Sequence, residues 1–499
     1  MTDEPLKASY EATPYISLPV PLSHPDHLCV LARLHGLDPA APAAARVLEL
    51  GCAAGGNLLP MAAAMPDASF VGVDLSPRQV ADGQAAAADL ALANVELQAG
   101  DVTALTAAET GRFDYIIAHG LYSWVPPAVQ AKLLPLLAGL MNPHGVAYVS
   151  YNCFPGWHQR QVVRALMRHQ AGGPAEPTEQ VRQARAILDV LSATYERDDA
   201  YARLLREERD KVAALDDAFL LHDLLEVENH PVYFSEFARR AGAAGLQYLT
   251  EANIAATRPA SFGAQARQIL EAQGDVLQRE QLIDFWLNRS FRESLLVADR
   301  LAPQPALLPA AVRELWLASP LQPDPDADGT GKAGERFFRA PDGGRCGLTD
   351  PGAQRALEAL GRAWPASLAF ADVAELAGTT ELAQSLALDL FLRNWLELRP
   401  RADDFVLTPG PRPVASAVAR WQLRRGDRVT SFRHRAVRID EPVAHQLLPR
   451  LDGRHDRAAL AAGLARQQEA GLLPAGTGEP EAALDRALAL LARHALLAG

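Results

Sequence analysis

Between residues 46 and 152, short apolar runs alternate with segments of helical periodicity, and this alternation constrains the fold more than any other feature of the chain. "RVLEL" (46–50), "SFVGVD" (69–74), "VELQAG" (95–100), "FDYIIA" (113–118) and "GVAYVSYN" (145–152) have strand character. "NLLPMAAAM" (57–65), "PRQVADGQAAAADLAL" (77–92) and "PAVQAKLLPLLAGL" (127–140) have helix character, with Ser76 placed as an N-cap and Pro77 at the first helical position. Strands separated by helices pair in parallel through βαβ crossovers. The near-continuous apolar runs fit strands covered on both faces. The expected core is therefore α/β, a doubly wound, Rossmann-like sheet.

The remaining chain is too long for that sheet alone, since 499 residues suggest about three domains. Residues 157–211 read as helical, with a break at "AGGPAEP" (171–177). "FSEFARRAGAAGLQYLTEA" (234–252) reads as a helix, a glycine stop and a strand that returns to the sheet, and 278–301 as a further helical segment. "SPLQPDPDADGTGKAGE" (319–335) is rich in Pro, Gly and Asp and reads as a linker. Beyond it, 348–378 echoes 438–466, and "ALDLFLRNWL" (387–396) echoes "ALALLARHAL" (487–496), which suggests two winged-helix-like units. The expected division is an N-terminal arm or lid (1–44), the α/β core (45–156), a mainly helical domain (157–318), the linker, and units at 336–410 and 411–499.

Charge and cysteine usage narrow the class. Sixty acids against 48 bases give a net charge of -12, which argues against a nucleic-acid surface. The echoing C-terminal segments are apolar or acidic and so read as packing or partner surfaces. Cys29, Cys52, Cys153 and Cys346 form neither a C-x-x-C pair nor a zinc spacing, so no metal is expected and a reduced, cytoplasmic setting fits. The first residues lack a signal peptide's basic start and apolar run, and no stretch of about 20 apolar residues suggests a membrane span.

A doubly wound sheet binds ligands at the carboxyl ends of its strands, near the switch point. There the loop "GCAAGGN" offers Gly51, Cys52, Ala53, Gly55 and Asn57. Gly51, Ala53 and Gly56 also satisfy a dinucleotide spacing, and Glu49 separates the two readings. A carboxylate at the end of the first strand repels a pyrophosphate but favours S-adenosylmethionine, whose sulfonium and ammonium are cationic. Such complementarity in a partly dry site is worth on the order of 1 kcal/mol or more. Asp74, followed by Leu75, is placed to accept from a ribose diol. Gly100, Asp101 and Val102 are placed around an adenine, and a simple turn is the competing reading of that Gly-Asp. Ala118 and His119 open the loop "AHGLYSWVP" (118–126), where Tyr122 and Trp124 present rings that attract cations or simply pack. Tyr151, Asn152, Trp157 and His158 fall on the same rim. Tyr15 and His24 lie in a segment, 13–28, that reads either as a lid or as a docked arm.

"ELGCAAGGN", "GVDLS", "GDV" and "FDYIIAHG" follow one another as do the cofactor motifs of class I S-adenosylmethionine-dependent methyltransferases, with Ala53 in place of the usual middle glycine. "TPY", "HPDHL", "NLLPMA", "HGLYSWVP", "SYNCFPGWH", "HPVYFSEFARRAGAAGLQYL", "NRSFRESLL" and the tail 433–460 are similar to bacterial methyltransferases that carry a methyltransferase regulatory domain. That group includes protein-lysine methyltransferases acting on bacterial outer-membrane proteins. The resemblance implies a class I methyltransferase core, a helical regulatory domain and C-terminal helical units. It implies cofactor roles for Glu49, Gly51, Asp74, Asp101 and His119.

On this reading the protein substrate, for instance of the cell envelope, is methylated on lysine by in-line displacement, with Tyr15, His119, Tyr122 or His158 accepting the amine's proton and Trp124 beside the methyl group. The alternatives are methylation of a small molecule and a cofactor-binding scaffold without turnover. The sequence is compatible with a homodimer and does not set the oligomeric state.

Overall fold

Seven strands, six running one way and the next-to-last reversed, form the sheet around which the chain is organised. The computed structural model describes residues 17–172, 176–257, 262–327, 331–474 and 476–498. The strands are β1 (Arg46–Leu50), β2 (Ser69–Asp74), β3 (Val95–Ala99), β4 (Phe113–Ala118), β5 (Met141–Asn152), β6 (Leu246–Glu251) and β7 (Phe291–Ala298). Their order is β3-β2-β1-β4-β5-β7-β6. β1 pairs in parallel with β2 and β4, and the order reverses between those neighbours. β7 runs antiparallel to both β5 and β6. Val47, Tyr115 and Tyr148 bury one face; Leu48, Ile116 and Val149 bury the other.

Strand β7, between β5 and the edge strand β6, corrects one expectation. Residues 278–301 are not a single helical segment: the helix Val276–Leu287 stops at Asn288, which adopts a left-handed conformation (φ 47°), and β7 follows. β7 is covered on both faces, so its adjacent Leu295 and Leu296 show no strand alternation in sequence.

A buried charge cluster fixes this edge. Arg292 on β7 donates from Nη1 to Glu251 Oε1 (2.7 Å) and from Nε and Nη2 to Asp284 (2.9 and 2.8 Å). Its guanidinium also reaches Glu280 Oε2 at 3.2 Å and lies 4.0 Å from the centre of the Phe234 ring. Glu251 belongs to β6 and Asp284 to the preceding helix, so one cation ties three elements together.

The helices Gly156–Ala171, Pro177–Thr194 and Ala200–Ala213 pack around Trp157, Met167, Leu188 and Leu205 as a separate core. The helices Pro351–Ala363, Phe370–Ala377 and Thr380–Phe391 share their core with one face of the sheet. The last unit, with helices Ala417–Leu423, Pro442–Leu447, Arg457–Glu469 and Pro480–Arg493, has its own core around Leu447, Leu464 and Leu488.

The segment expected to be a linker is packed where it is described. Leu321 is fully buried, Gln322–Pro323 pairs with Arg336–Arg339, and the buried Asp324 holds Arg339 and Arg345. Trp316–Ala318, just before it, is the central strand of a small sheet with Leu368–Ala369 and Glu397–Arg399. The proline and aspartate content that suggested a tether instead makes turns and one ion cluster, in which the buried Asp324 meets two half-exposed arginines. Among the described residues no helix is long and apolar enough to cross a membrane.

Removing Arg292 leaves the buried Glu251 and Asp284 with Arg289 alone, at 3.9 and 3.2 Å, as a cation. Arg292→Met is expected to lower stability by about 3–5 kcal/mol, read as the shift in a urea unfolding curve.

Candidate active site

The carboxyl ends of β1, β2, β3 and β4 surround a cavity of about 330 Å³, within the size range of small-ligand sites. The loop after β1 turns through positive φ at Gly51 (75°), Ala53 (49°) and Gly55 (73°). Its amides are already committed. Gly51 and Cys52 donate to Val73 O, Gly55 to Cys52 O, Ala53 to Asp74 Oδ2 and Gly56 to Ser17 Oγ. A phosphate cradle needs such amides free to point at the ligand. At Gly56 the absent side chain serves a protein contact: a Cβ there would lie 2.2 Å from Ser17 O.

Glu49, at the end of β1, is 4% exposed and lines the cavity. Its Oε1 accepts from Asn57 Nδ2 at 2.8 Å. Its Oε2 is buried with no hydrogen-bond partner among the described residues. Burial pushes the carboxyl up to about 8; the Asn57 hydrogen bond opposes this and the nearby Asp74 charge adds to it. A buried oxygen without a donor in an acid-lined cavity suits a cationic ligand group.

Asp74 accepts from Ala53 N–H (2.8 Å) and Ser76 N–H (2.9 Å), which fixes its carboxylate at the end of β2 and leaves a lone pair on each oxygen. Burial raises its carboxyl, and those two amides with that of Leu75 pull it back. Asp101 caps the turn Val102–Ala104 by accepting from Thr103 N–H and Oγ1, both at 2.8 Å. His119 follows β4. Its Nδ1 lies 2.9 Å from Tyr148 Oη, whose proton goes to Glu293 Oε1 at 2.6 Å. Nδ1 is therefore the donor in that pair, and Nε2 carries the lone pair. Burial lowers His119 to about 4, so the ring is neutral at pH 7.

Three family profiles match the chain: "Methyltransferase domain" at residues 47–145, "Predicted methyltransferase regulatory domain" at 216–298, and "PKMT, C-terminal winged helix domain" at 411–496. Among curated proteins, the chain is 37% identical over 288 residues to RP789 of Rickettsia prowazekii, which covers 58% of this chain and 52% of that one. The chain thus spans about half the length of that relative. It is 34% identical over 236 residues to RP028 of the same organism, covering 47% of this chain and 94% of that one. Among solved structures, PKMT2 from Rickettsia typhi superposes with a TM-score of 0.87 at 26% identity, covering 97% of this chain and all of the other. A second structure of that protein, in complex with AdoHcy, superposes with the same score at 25% identity. The chain belongs to the S-adenosylmethionine-dependent methyltransferases.

Of the residues singled out in sequence, the methyltransferase cavity brings together Glu49, Gly51, Cys52, Ala53, Asn57, Asp74, Leu75, Gly100, Asp101, Val102, His119 and Trp124. Others fall outside it. Gly55 shapes the loop against Leu59, and Ala118 is buried at the end of β4. Tyr122 is not a cavity residue: its fully buried ring packs edge-on against Phe237 and Tyr151, and its Oη accepts from Arg240. Tyr151, Asn152 and Trp157 are buried too, and His158 stacks on Phe154 beside Tyr233. His24 caps the helix Pro25–Leu34 by accepting Asp26 N–H at Nδ1. Tyr15 lies outside the described residues.

Sequence reasoning missed part of the cavity wall. Ser17, Leu18 and Val20 reach it from the N-terminal segment, and Phe219, His222 and Asp223 from the helical domain, in and beside a π-helical turn at Leu221–Leu225. Burial lifts Asp223 to about 6, against the pull of Arg160 and His222. A lone acid inside the apolar run "FLLHDLL" was the available signal.

The raised Glu49 carboxyl fixes the sign of a pH effect in the cofactor-free methyltransferase. The protonated form is favoured in the folded state, so this contribution is complete below pH 4.5 and is lost as pH rises through about 8. Urea unfolding between pH 5 and 8.5 is expected to show Glu49→Gln gaining stability relative to the parent protein as pH rises.

Proposed function

We propose that the protein transfers methyl groups from S-adenosylmethionine to lysine side chains of a protein substrate, with cell-envelope proteins as the first class to test. The protein-lysine reading is carried by the end-to-end match to PKMT2, which extends through the helical and winged-helix domains as well as the core. The cofactor supplies an electrophilic methyl group on a sulfonium.

The chain's own residues divide the remaining work. Glu49 takes the cofactor's ammonium on the oxygen that lacks a donor. Asp74 accepts from the ribose diol while the Ala53 and Ser76 amides hold it in place. Asp101 and Val102, with Leu75, border the adenine. Trp124 supplies an aromatic wall at the cavity, where a cationic ligand gains from the ring face. His119, neutral and with Nε2 free to accept, holds an N–H of the attacking amine so that the nitrogen lone pair stays aligned. Tyr148 and Glu293 keep its ring and tautomer fixed.

Incubation with tritiated S-adenosylmethionine and a cell-envelope fraction tests the reading. Label in lysine of protein bands is the expected result. Label in solvent-extractable material would favour a small-molecule substrate, and cofactor binding without transfer a scaffold. Asp74→Ala is expected to weaken S-adenosylhomocysteine binding about 10- to 100-fold by calorimetry, from two lost hydrogen bonds. His119→Ala is expected to lower kcat on the order of 100-fold.

A further inference from the structure

The wall behind Glu49 is completed from the far end of the chain. Asn57 is buried and uses both ends of its amide. Nδ2 donates to Glu49 Oε1 (2.8 Å) and to Ser23 Oγ (3.1 Å). Oδ1 accepts from Val20 N–H at 2.8 Å and lies 2.7 Å from Nε2 of His434. A backbone N–H can only donate, so Val20 fixes which end of the Asn57 amide is oxygen. That oxygen in turn requires His434 to donate from Nε2.

His434 is built to reach this point. Its backbone is left-handed (φ 54°), a conformation that a non-glycine residue keeps only where its surroundings impose it. Its N–H closes a tight turn onto Ser431 O (2.8 Å), and Phe432 N–H ties that turn to Ala495 O (2.9 Å). Arg433, in the same turn, is buried and bonded to Glu397 and to Pro365 O. The turn is therefore tied to the C-terminal domain through Ala495 and to the preceding unit through Glu397 and Pro365, while its tip enters the core beside His24, whose ring centre is 5.0 Å away.

We propose that His434 is a positioning residue for the cofactor: through Asn57 it holds the Glu49 carboxylate in the orientation that receives the cofactor's ammonium. Docking of the C-terminal domain and cofactor binding are then coupled, and each strengthens the other by the same factor. This rests on the cofactor role assigned to Glu49 above. The titratable neighbours of Glu49 are Asp74, Cys52 and Tyr148; those of His434 are His24, Asp26 and Arg399.

The test is calorimetric titration of the full chain with S-adenosylhomocysteine between pH 6 and 8.5. His434→Ala is expected to weaken binding about five- to tenfold, the effect of one lost hydrogen bond. It is also expected to move the pH midpoint of binding upward, because Asn57 then supports the ionised Glu49 less well. His434→Gln, whose amide can still donate to Asn57 Oδ1, is expected to recover most of both. In the unmodified protein, S-adenosylhomocysteine is expected to slow amide hydrogen exchange at Phe432 and His434, a readout that needs no variant. His434→Ala binding like the parent at every pH, or alanine and glutamine variants weakened equally, overturns the proposal while leaving the cofactor reading intact. An unmodified protein that fails to bind S-adenosylhomocysteine overturns the cofactor reading itself, and the proposal with it.

Discussion

Glu49 is a carboxylate kept out of water with one oxygen bonded and the other bare, and the site is arranged around that imbalance. A buried anion without a partner is costly, and the protein limits that cost by letting the group hold its proton up to about pH 8. A cationic ligand resolves the imbalance by supplying the missing donor. A pyrophosphate brings no donor to that bare oxygen and would find the loop amides already used by Val73, Cys52, Asp74 and Ser17. Affinity and selectivity come from one electrostatic choice.

Asn57 carries that choice to the rest of the molecule. It joins β1, the N-terminal segment and the C-terminal domain within one buried side chain's reach. The cavity is thus a composite. The sheet supplies the acids, the N-terminal residues 17–20 and the helical domain supply walls, and the last domain braces the carboxylate from behind. Gly56, although it satisfies a dinucleotide spacing, makes room for Ser17 rather than for a phosphate.

The far edge of the sheet answers to a different constraint. β6 and β7 join the sheet after a long helical excursion, and Arg292 holds them to the helix Val276–Leu287 through Glu251 and Asp284. Ion pairs in a dry interior need specific geometry to repay their desolvation, and here Arg292 meets Glu251 and Asp284 at 2.7 to 2.9 Å. The result is a firm platform for Tyr148 and Glu293, which sit on adjoining strands and orient His119.

The local pattern of the sequence was enough for the α/β core, the glycine turn and the cavity acids Glu49, Asp74 and Asp101, because each follows from periodicity, steric need or charge over a few residues. The resemblance carried by "ELGCAAGGN", "GVDLS", "GDV" and "FDYIIAHG" pointed to the same residues. Local pattern misled where burial was two-sided or polar. β7 read as helix because both its faces are covered, residues 319–335 read as a tether although Leu321 and Asp324 are buried, and Tyr122 read as a site residue although it packs against Phe237. Phe219, Asp223 and His434 could not be placed by local pattern, since their meeting with Glu49 and Asn57 spans hundreds of residues of chain. By itself, then, the sequence determined which chemical groups the first strand ends present. Only the tertiary structure decided which distant groups enclose and brace them, because a carboxylate's protonation and a histidine's donor atom are set by what is packed around them.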